Sequence, residues 1–215
     1  MTDVGKRVYR SDLREGQARA TRRQIVEAAS TLFAERGYAA ATIDAVAERA
    51  GVSRKTVFTS VGGKVELMKL AYDWAVTGDD EPVSMGRRPE VAEVVAEQDP
   101  VRMLEKYADL LGRQMPRVAP IHSALRSAAD ADAQAHELFE KMQDHRLAGM
   151  RKPVAVLAER GHLREGLSQK RATDLVWLYT EPLQWELLVQ RRGWSRAAYA
   201  DWLVSSLKLH LLGLA

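Results

Sequence analysis

Apolar residues recur along most of this chain at three- and four-residue intervals. Ile25, Ala28, Ala29, Leu32 and Phe33 make one such stripe and predict a helix over 21–36, stopped by Gly37. Ile43, Val46, Ala47 and Ala50 predict a short second helix. Thr42 is placed as its N-cap and Asp44 in its first turn, where the helix dipole favours a carboxylate. Gly51 ends it. Ser53 caps a third short helix running to about Ser60, with Val57 pointing inward. Gly62 and Gly63 break the chain before a helix over 64–76, whose inner face is Leu67, Leu70, Ala71 and Trp74. Residues 77–90 combine glycine, proline and clustered charge and read as a loop. Further helices are expected near 91–97, 100–115, 120–130, 133–160, 168–191 and 195–213, punctuated by Pro116, Pro120, Gly161, Gly166 and Gly193. No segment sustains period-two alternation, so the predicted fold is all-α.

The last two predicted helices differ from the others. Over 168–191, Leu175, Val176, Trp177, Leu178, Tyr179, Leu183, Trp185, Leu187, Leu188 and Val189 cover nearly the whole circumference, which implies burial on several sides. Pro182 deletes a backbone hydrogen bond in the middle and is expected to kink it. Ser195 caps the final helix, with Trp194 and Tyr199 placed as a hydrophobic staple. One stripe of that helix is Tyr199, Trp202, Leu203, Ser206, Leu207 and His210; a second is Val204, Leu209 and Leu212. Two stripes suggest either one face for the core and one for a partner, or a single broad core face.

Composition narrows the chemistry. The 215 residues are 46% hydrophobic and 28% charged, a globular balance. No cysteine is present, which excludes disulfides, thiolate metal sites and a cysteine nucleophile. No apolar run reaches the roughly 18 residues of a membrane span, and the N-terminal stretch lacks the apolar core of a signal peptide. A cytoplasmic protein with no membrane partner is expected. The net charge of +3 is unevenly spread: residues 1–64 hold 12 Lys/Arg and 7 Asp/Glu, the remainder 20 and 22. This skew fits either a polyanion-binding module on a neutral body or a basic tail with no partner. Residues 1–20 show no apolar period and carry Lys6, Arg7, Arg10, Arg14 and Arg19. They are read as a flexible basic arm, either entering a minor groove or remaining a solvated tail.

Residues 42–60, TIDAVAERAGVSRKTVFTS, carry the most information. Two short helices joined by a tight turn make a helix-turn-helix. Ala47 must be small because the second helix crosses close above the first. Gly51 takes the positive φ of the turn, and Val57 anchors the recognition helix to the core. The exposed face then carries Ser53, Arg54, Lys55, Thr56, Thr59 and Ser60, hydroxyls and cations suited to phosphates and base edges in a major groove.

The stretch 21–74 resembles the DNA-binding domain of the TetR (TetR/AcrR) family of bacterial transcriptional regulators. The residues that carry the likeness are IVEAASTLFAERGYAAATIDAVAERAGVSRKTVF followed by VGGKVEL, matched without a gap. The segment RGWSRAAYADWLVSSLKLHLLG also looks like the last two helices of many members. The resemblance implies a basic arm (1–20), a three-helix DNA-binding domain (21–64) and a larger helical ligand-binding and dimerisation domain (65–215). It implies a double-stranded DNA operator read by Thr42, Ser53, Arg54, Lys55, Thr56, Phe58, Thr59, Ser60 and Lys64. Of these, Thr42, Thr56 and Lys64 would meet phosphates, and Arg54 a guanine edge. The chain departs from the family at Phe58, commonly tyrosine, so no phenolic hydroxyl is offered there. It departs again at Thr59, Ser60, Val61 and Gly63.

Residues 91–215 hold no phosphate loop, HExxH or GxSxG pattern, so neither an enzyme nor a cofactor is expected. Asp132, His136 and Glu140 share a helical face, but their span along the axis is too long for one ion, so no metal site is expected. The resemblance implies a homodimer through the last two helices and a pocket for an unidentified small-molecule effector. Candidate lining residues are Met103, Tyr107, Met115, His122, Arg126, Phe139, Met142, His145, Trp177, Tyr179 and Trp185. The reading is a repressor released from a palindromic operator by its ligand. The alternative is a regulator of the same fold that activates, or that has no small-molecule inducer.

Overall fold

The computed structural model describes the chain from Val4 to Leu214, with side chains described from Arg14 onward. It is built of helices, and no strand occurs among the described residues. α1 (Val4–Ala40) buries Ile25, Val26, Ala28, Ala29, Leu32 and Phe33. Gly37 interrupts it with φ 74, the left-handed stop that its position predicts. The expected arm over 1–20 is corrected from Val4 onward, where the chain is already helical. No proline interrupts this stretch, and further along it Arg19 and Arg23 are held by Asp80. The side chains of Lys6, Arg7 and Arg10 lie outside the described residues.

α2 (Ile43–Ala50) and α3 (Arg54–Ser60) form the helix-turn-helix. Thr42 accepts the Ala45 N–H and Ser53 accepts the Thr56 N–H, while Gly51 closes α2 at φ 66. Val46, Ala47 and Val57 are buried at the crossing. α4 (Lys64–Thr77) starts at Gly63 and stops at Gly78, with φ 88. The following loop contains one 3-10 turn, Met85–Arg87, before α5 (Pro89–Ala96).

α6 (Pro100–Ala129) is one helix, not the two expected over 100–115 and 120–130. Each internal proline costs roughly 3 kcal/mol in helical hydrogen bonding and sterics. Packing outweighs this. Leu110, Leu111, Met115, Val118, Ile121 and Leu125 are all buried along the stretch around Pro116 and Pro120, and full burial of each such side chain contributes about 1.5–3 kcal/mol. α6 lies against α1, α4 and α5, and also against α7 (Ala133–Glu159), α9 (Pro182–Trp185) and α10 (Arg196–Leu207).

α8 (Gln169–Tyr179) ends where a kink was expected. The chain breaks outright at Thr180 and Glu181. Glu181 is extended, as the residue before proline prefers, and Pro182 opens α9 at a position where its missing N–H costs nothing. A π-helical stretch, Glu186–Arg191, continues α9, and another, Lys208–Leu212, continues α10. Ser195 caps α10 by accepting the Ala198 N–H. Tyr199 packs on Trp185 and Trp202, while Trp194 stays 37% exposed, so the expected Trp194–Tyr199 staple is replaced by an aromatic cluster.

Two cores result. The first joins α1–α4 to the second half of α6 and the start of α7; the second joins the first half of α6 to α5, the end of α7 and α8–α10. α4 therefore packs with the helix-turn-helix, although the expected boundary at 64/65 assigns it to the body. Among the described residues no helix is long and apolar enough to cross a membrane.

Candidate DNA interface and effector cavity

The recognition helix α3 is rigid at its root and exposed at its tip. Val57 is fully buried, whereas Ser53, Arg54, Lys55, Phe58 and Thr59 are exposed. The Ser53 and Thr56 hydroxyls bond each other at 2.8 Å while Ser53 also caps the helix. Thr59 donates to the Lys55 carbonyl at 3.0 Å. Arg54 does not stand free. Its Nη1 donates to both Asp44 carboxylate oxygens at 3.1 and 2.9 Å, and its guanidinium lies 5.6 Å from the Phe58 ring centroid. Asp44 thus has a second role beyond the helix dipole: it holds the exposed guanidinium at the start of α3.

Lys64 donates to the Ala39 carbonyl at 3.1 Å and sits 4.2 Å from the Tyr38 ring centroid, where burial lowers its pKa. Its ammonium is therefore positioned by the end of α1. Tyr38 was missed in the sequence; stacked on Phe33 at 5.9 Å, it is the platform that orients this lysine. The signal was the Gly37-Tyr38 pair just ahead of α2.

The second feature is a cavity of about 1130 Å³. Its walls come from α4, α6 and α7, roofed by the α4–α5 loop, and it reaches Arg19 and Arg22 of α1 and Thr59 and Ser60 of α3. Of the candidate ligand residues, Tyr107, Met115, Met142 and His145 line it. The other seven are not on its wall. Met103 is core, and Arg126 pairs with Glu186 at 3.3 Å. Phe139 packs on His122 at 5.5 Å. Trp185 faces Tyr199, and Tyr179 faces Trp202 and His210. Trp177 lies behind the wall, under the Arg146 guanidinium at 4.9 Å.

Behind the wall residues Tyr72 and Arg146 lies a buried polar cluster. His122 Nε2 is 2.8 Å from Glu181 Oε1, its Nδ1 is 3.2 Å from the Tyr72 hydroxyl, and Arg146 pairs with the other Glu181 oxygen. Burial alone would raise the Glu181 pKa; the hydrogen bond from His122 and the charge of Arg146 hold it below its ordinary value. Sequence reading found His122 but neither Arg146 nor Glu181, because nothing local marks residues 35 positions apart as partners.

At the mouth, Asp80 accepts from Arg19 at 2.7 and 2.9 Å and from Arg23 at 2.6 Å, and Glu81 from Arg19 at 2.5 Å. The Arg19 hydrogen bond, joined by that of Arg23, holds the Asp80 carboxyl far below the ordinary range. Asp79 accepts both prongs of Arg88, at 2.8 and 2.6 Å. The roof of the cavity is thus tied to the first helix of the DNA-binding unit. Asp132, read as part of a charged face, caps α7 instead. Among the described residues no cluster of three metal-binding side chains occurs.

A capped helix-turn-helix is thus joined by one shared helix to a larger helical body that encloses a cavity. Residues 25–71 match the family model described as bacterial regulatory proteins, tetR family. The chain is 27% identical over 180 residues to the HTH-type transcriptional regulator TtgR of Pseudomonas putida, covering 80% of this chain and 83% of that one. It shares the same identity and coverage with the probable HTH-type transcriptional regulator ArpR of Pseudomonas putida. Two solved structures share its fold. NalD of Pseudomonas aeruginosa, the secondary repressor of the MexAB-OprM multidrug efflux pump, superposes with a TM-score of 0.66 at 19% identity, over 90% of this chain and 97% of that one. The fatty acid degradation regulator FadR of Bacillus halodurans gives 0.68 at 15%, over 87% and 94%. The N-terminal unit thus matches the TetR-family model, and the chain as a whole is similar to HTH-type transcriptional regulators.

Proposed function

We propose that this protein is a homodimeric, cytoplasmic repressor that leaves a palindromic operator when a small molecule fills the cavity. The observation that carries the reading is the placement of α4. One part of it, Leu70 to Thr77, lines the cavity, while Leu67, Met68 and Ala71 are packed in the core that holds the recognition helix. A ligand that prefers one placement of α4 biases the position of α3. The exposed apolar residues Leu178 (50%), Leu187 (38%) and Leu209 (50%) lie on and around the last helices and support a dimer there. Two recognition helices would then read half-sites roughly 34–36 Å apart.

The test is binding of the purified protein to its own upstream DNA and to a scrambled fragment, across a salt series. A footprint of two half-sites and a preference of about 10³ or more for the upstream fragment are expected. Equal binding to both, lost by about 200 mM salt, would mean a purely electrostatic contact and would sink the reading.

The Asp44–Arg54 pair supplies a second test. Both side chains are more than half exposed, so releasing Arg54 costs at most about 1 kcal/mol. Asp44→Asn frees the guanidinium and removes a carboxylate from the DNA-facing surface. Fluorescence anisotropy should show operator affinity rising several-fold.

A further inference from the structure

We infer that the cavity accepts uncharged, predominantly apolar molecules and rejects anions. This inference rests on reading the cavity as the effector site. A buried arginine beside an apolar wall would ordinarily suggest an acidic ligand. Here the guanidinium is already spent. Arg146 Nε donates to Gln143 Oε1 at 3.0 Å, and Nη1 to the Trp177 carbonyl at 3.1 Å and the Thr180 hydroxyl at 3.5 Å. Nη2 meets the Glu181 carboxylate, so four of the five N–H donors of the fork are used and its charge is neutralised within the protein. The opposite face of Glu181 is occupied by His122, at 2.8 Å. A carboxylate entering from the cavity would have to displace Glu181 or lie unpaired beside it, and either costs far more than an uncharged group.

Two further polar groups of the wall are also engaged within the protein. The Tyr107 hydroxyl donates to Met150 Sδ at 2.6 Å, and Gln114 Nε2 to Met85 Sδ at 3.1 Å. At the mouth, Asp73, Asp80 and Glu81 stand against Arg19 and Arg22, so the entrance carries no excess of cations among its Arg, Asp and Glu residues. What remains for a ligand, beside His145, is mainly polarisable apolar surface, with Met115, Met142 and Met150 on the wall, a lining that adapts to ring systems.

Two probes with one ring skeleton separate charge from shape: N-phenylnaphthylamine, which is neutral, and its sulfonate, anilinonaphthalenesulfonate. Both are titrated calorimetrically into the full chain at about pH 8, above the imidazole range, and competed against each other. The neutral probe is expected to bind at one per chain, about tenfold or more tighter than the sulfonate. In Glu181→Gln, which keeps volume and an acceptor but unmasks the guanidinium, the ratio should move at least tenfold toward the sulfonate. Competitive binding of the sulfonate to the wild type as tightly as the neutral probe overturns the inference, as does an unchanged ratio in folded Glu181→Gln. If that variant does not fold, the wild-type ratio decides. Failure of the neutral probe to bind at all overturns the effector-site reading and this inference with it. The reading survives, and the inference alone falls, when both probes bind equally.

Discussion

Arg54→Ala should abolish operator recognition while leaving the fold intact. Arg54 opens the recognition helix and more than half of its side chain is exposed, so its loss removes no core contact. In the free protein the guanidinium is parked on Asp44 and the Phe58 ring. Both are surface interactions, weak enough to exchange for a guanine edge. One bidentate contact to guanine gives about 1–3 kcal/mol of discrimination. A symmetric dimer loses it twice, so affinity for the operator should fall roughly 30-fold to 10⁴-fold, with little change on scrambled DNA. Anisotropy titrations on both fragments, with circular dichroism as the folding control, measure this. A uniform loss on both fragments would instead make Arg54 a phosphate contact. Asp44→Asn and Arg54→Ala act on one ion pair in opposite directions, so the two results constrain each other.

Local rules located nearly everything in the DNA-binding unit. Thr42, Ser53, Gly37 and Gly51 act within three or four residues of themselves, through a cap hydrogen bond or a positive φ, and each stands where its spacing places it. Pro116, Pro120 and Pro182 show where such rules stop. All three are read as the same local penalty. The first two are overridden because α6 is surrounded by neighbours, while the third opens a new helix because Glu181 before it can extend and finds Arg146 and His122 as partners. The cavity wall is less legible still. Met103 and Met115 lie on the same helix and are equally buried, yet only Met115 faces the cavity, and the difference is set by helices far away in the chain. The Arg19–Asp80 tie spans 61 residues and leaves no periodic trace.

Glu181→Ala should produce the largest loss of stability. The carboxylate is 16% exposed; it compensates Arg146, at 10%, and lies 2.8 Å from His122, at 2%. Its removal strands a buried guanidinium, and breaking a buried pair from one side costs about 3–5 kcal/mol. For a chain of this size that lowers Tm by roughly 10 °C, read by differential scanning calorimetry at neutral pH. The pH dependence carries the sign. The folded-state pKa of Glu181 lies below its unfolded value, so its contribution is complete above the ordinary carboxylate range and fades as pH falls through the folded value. The Tm gap between wild type and Glu181→Ala should therefore be constant from about pH 7 to pH 5 and close on further acidification. A gap that persisted unchanged at the lowest pH at which both proteins still fold would assign the loss to packing rather than to charge. In that case the Arg146 charge would not depend on Glu181 for its compensation, and the cavity's rejection of anions would need another source.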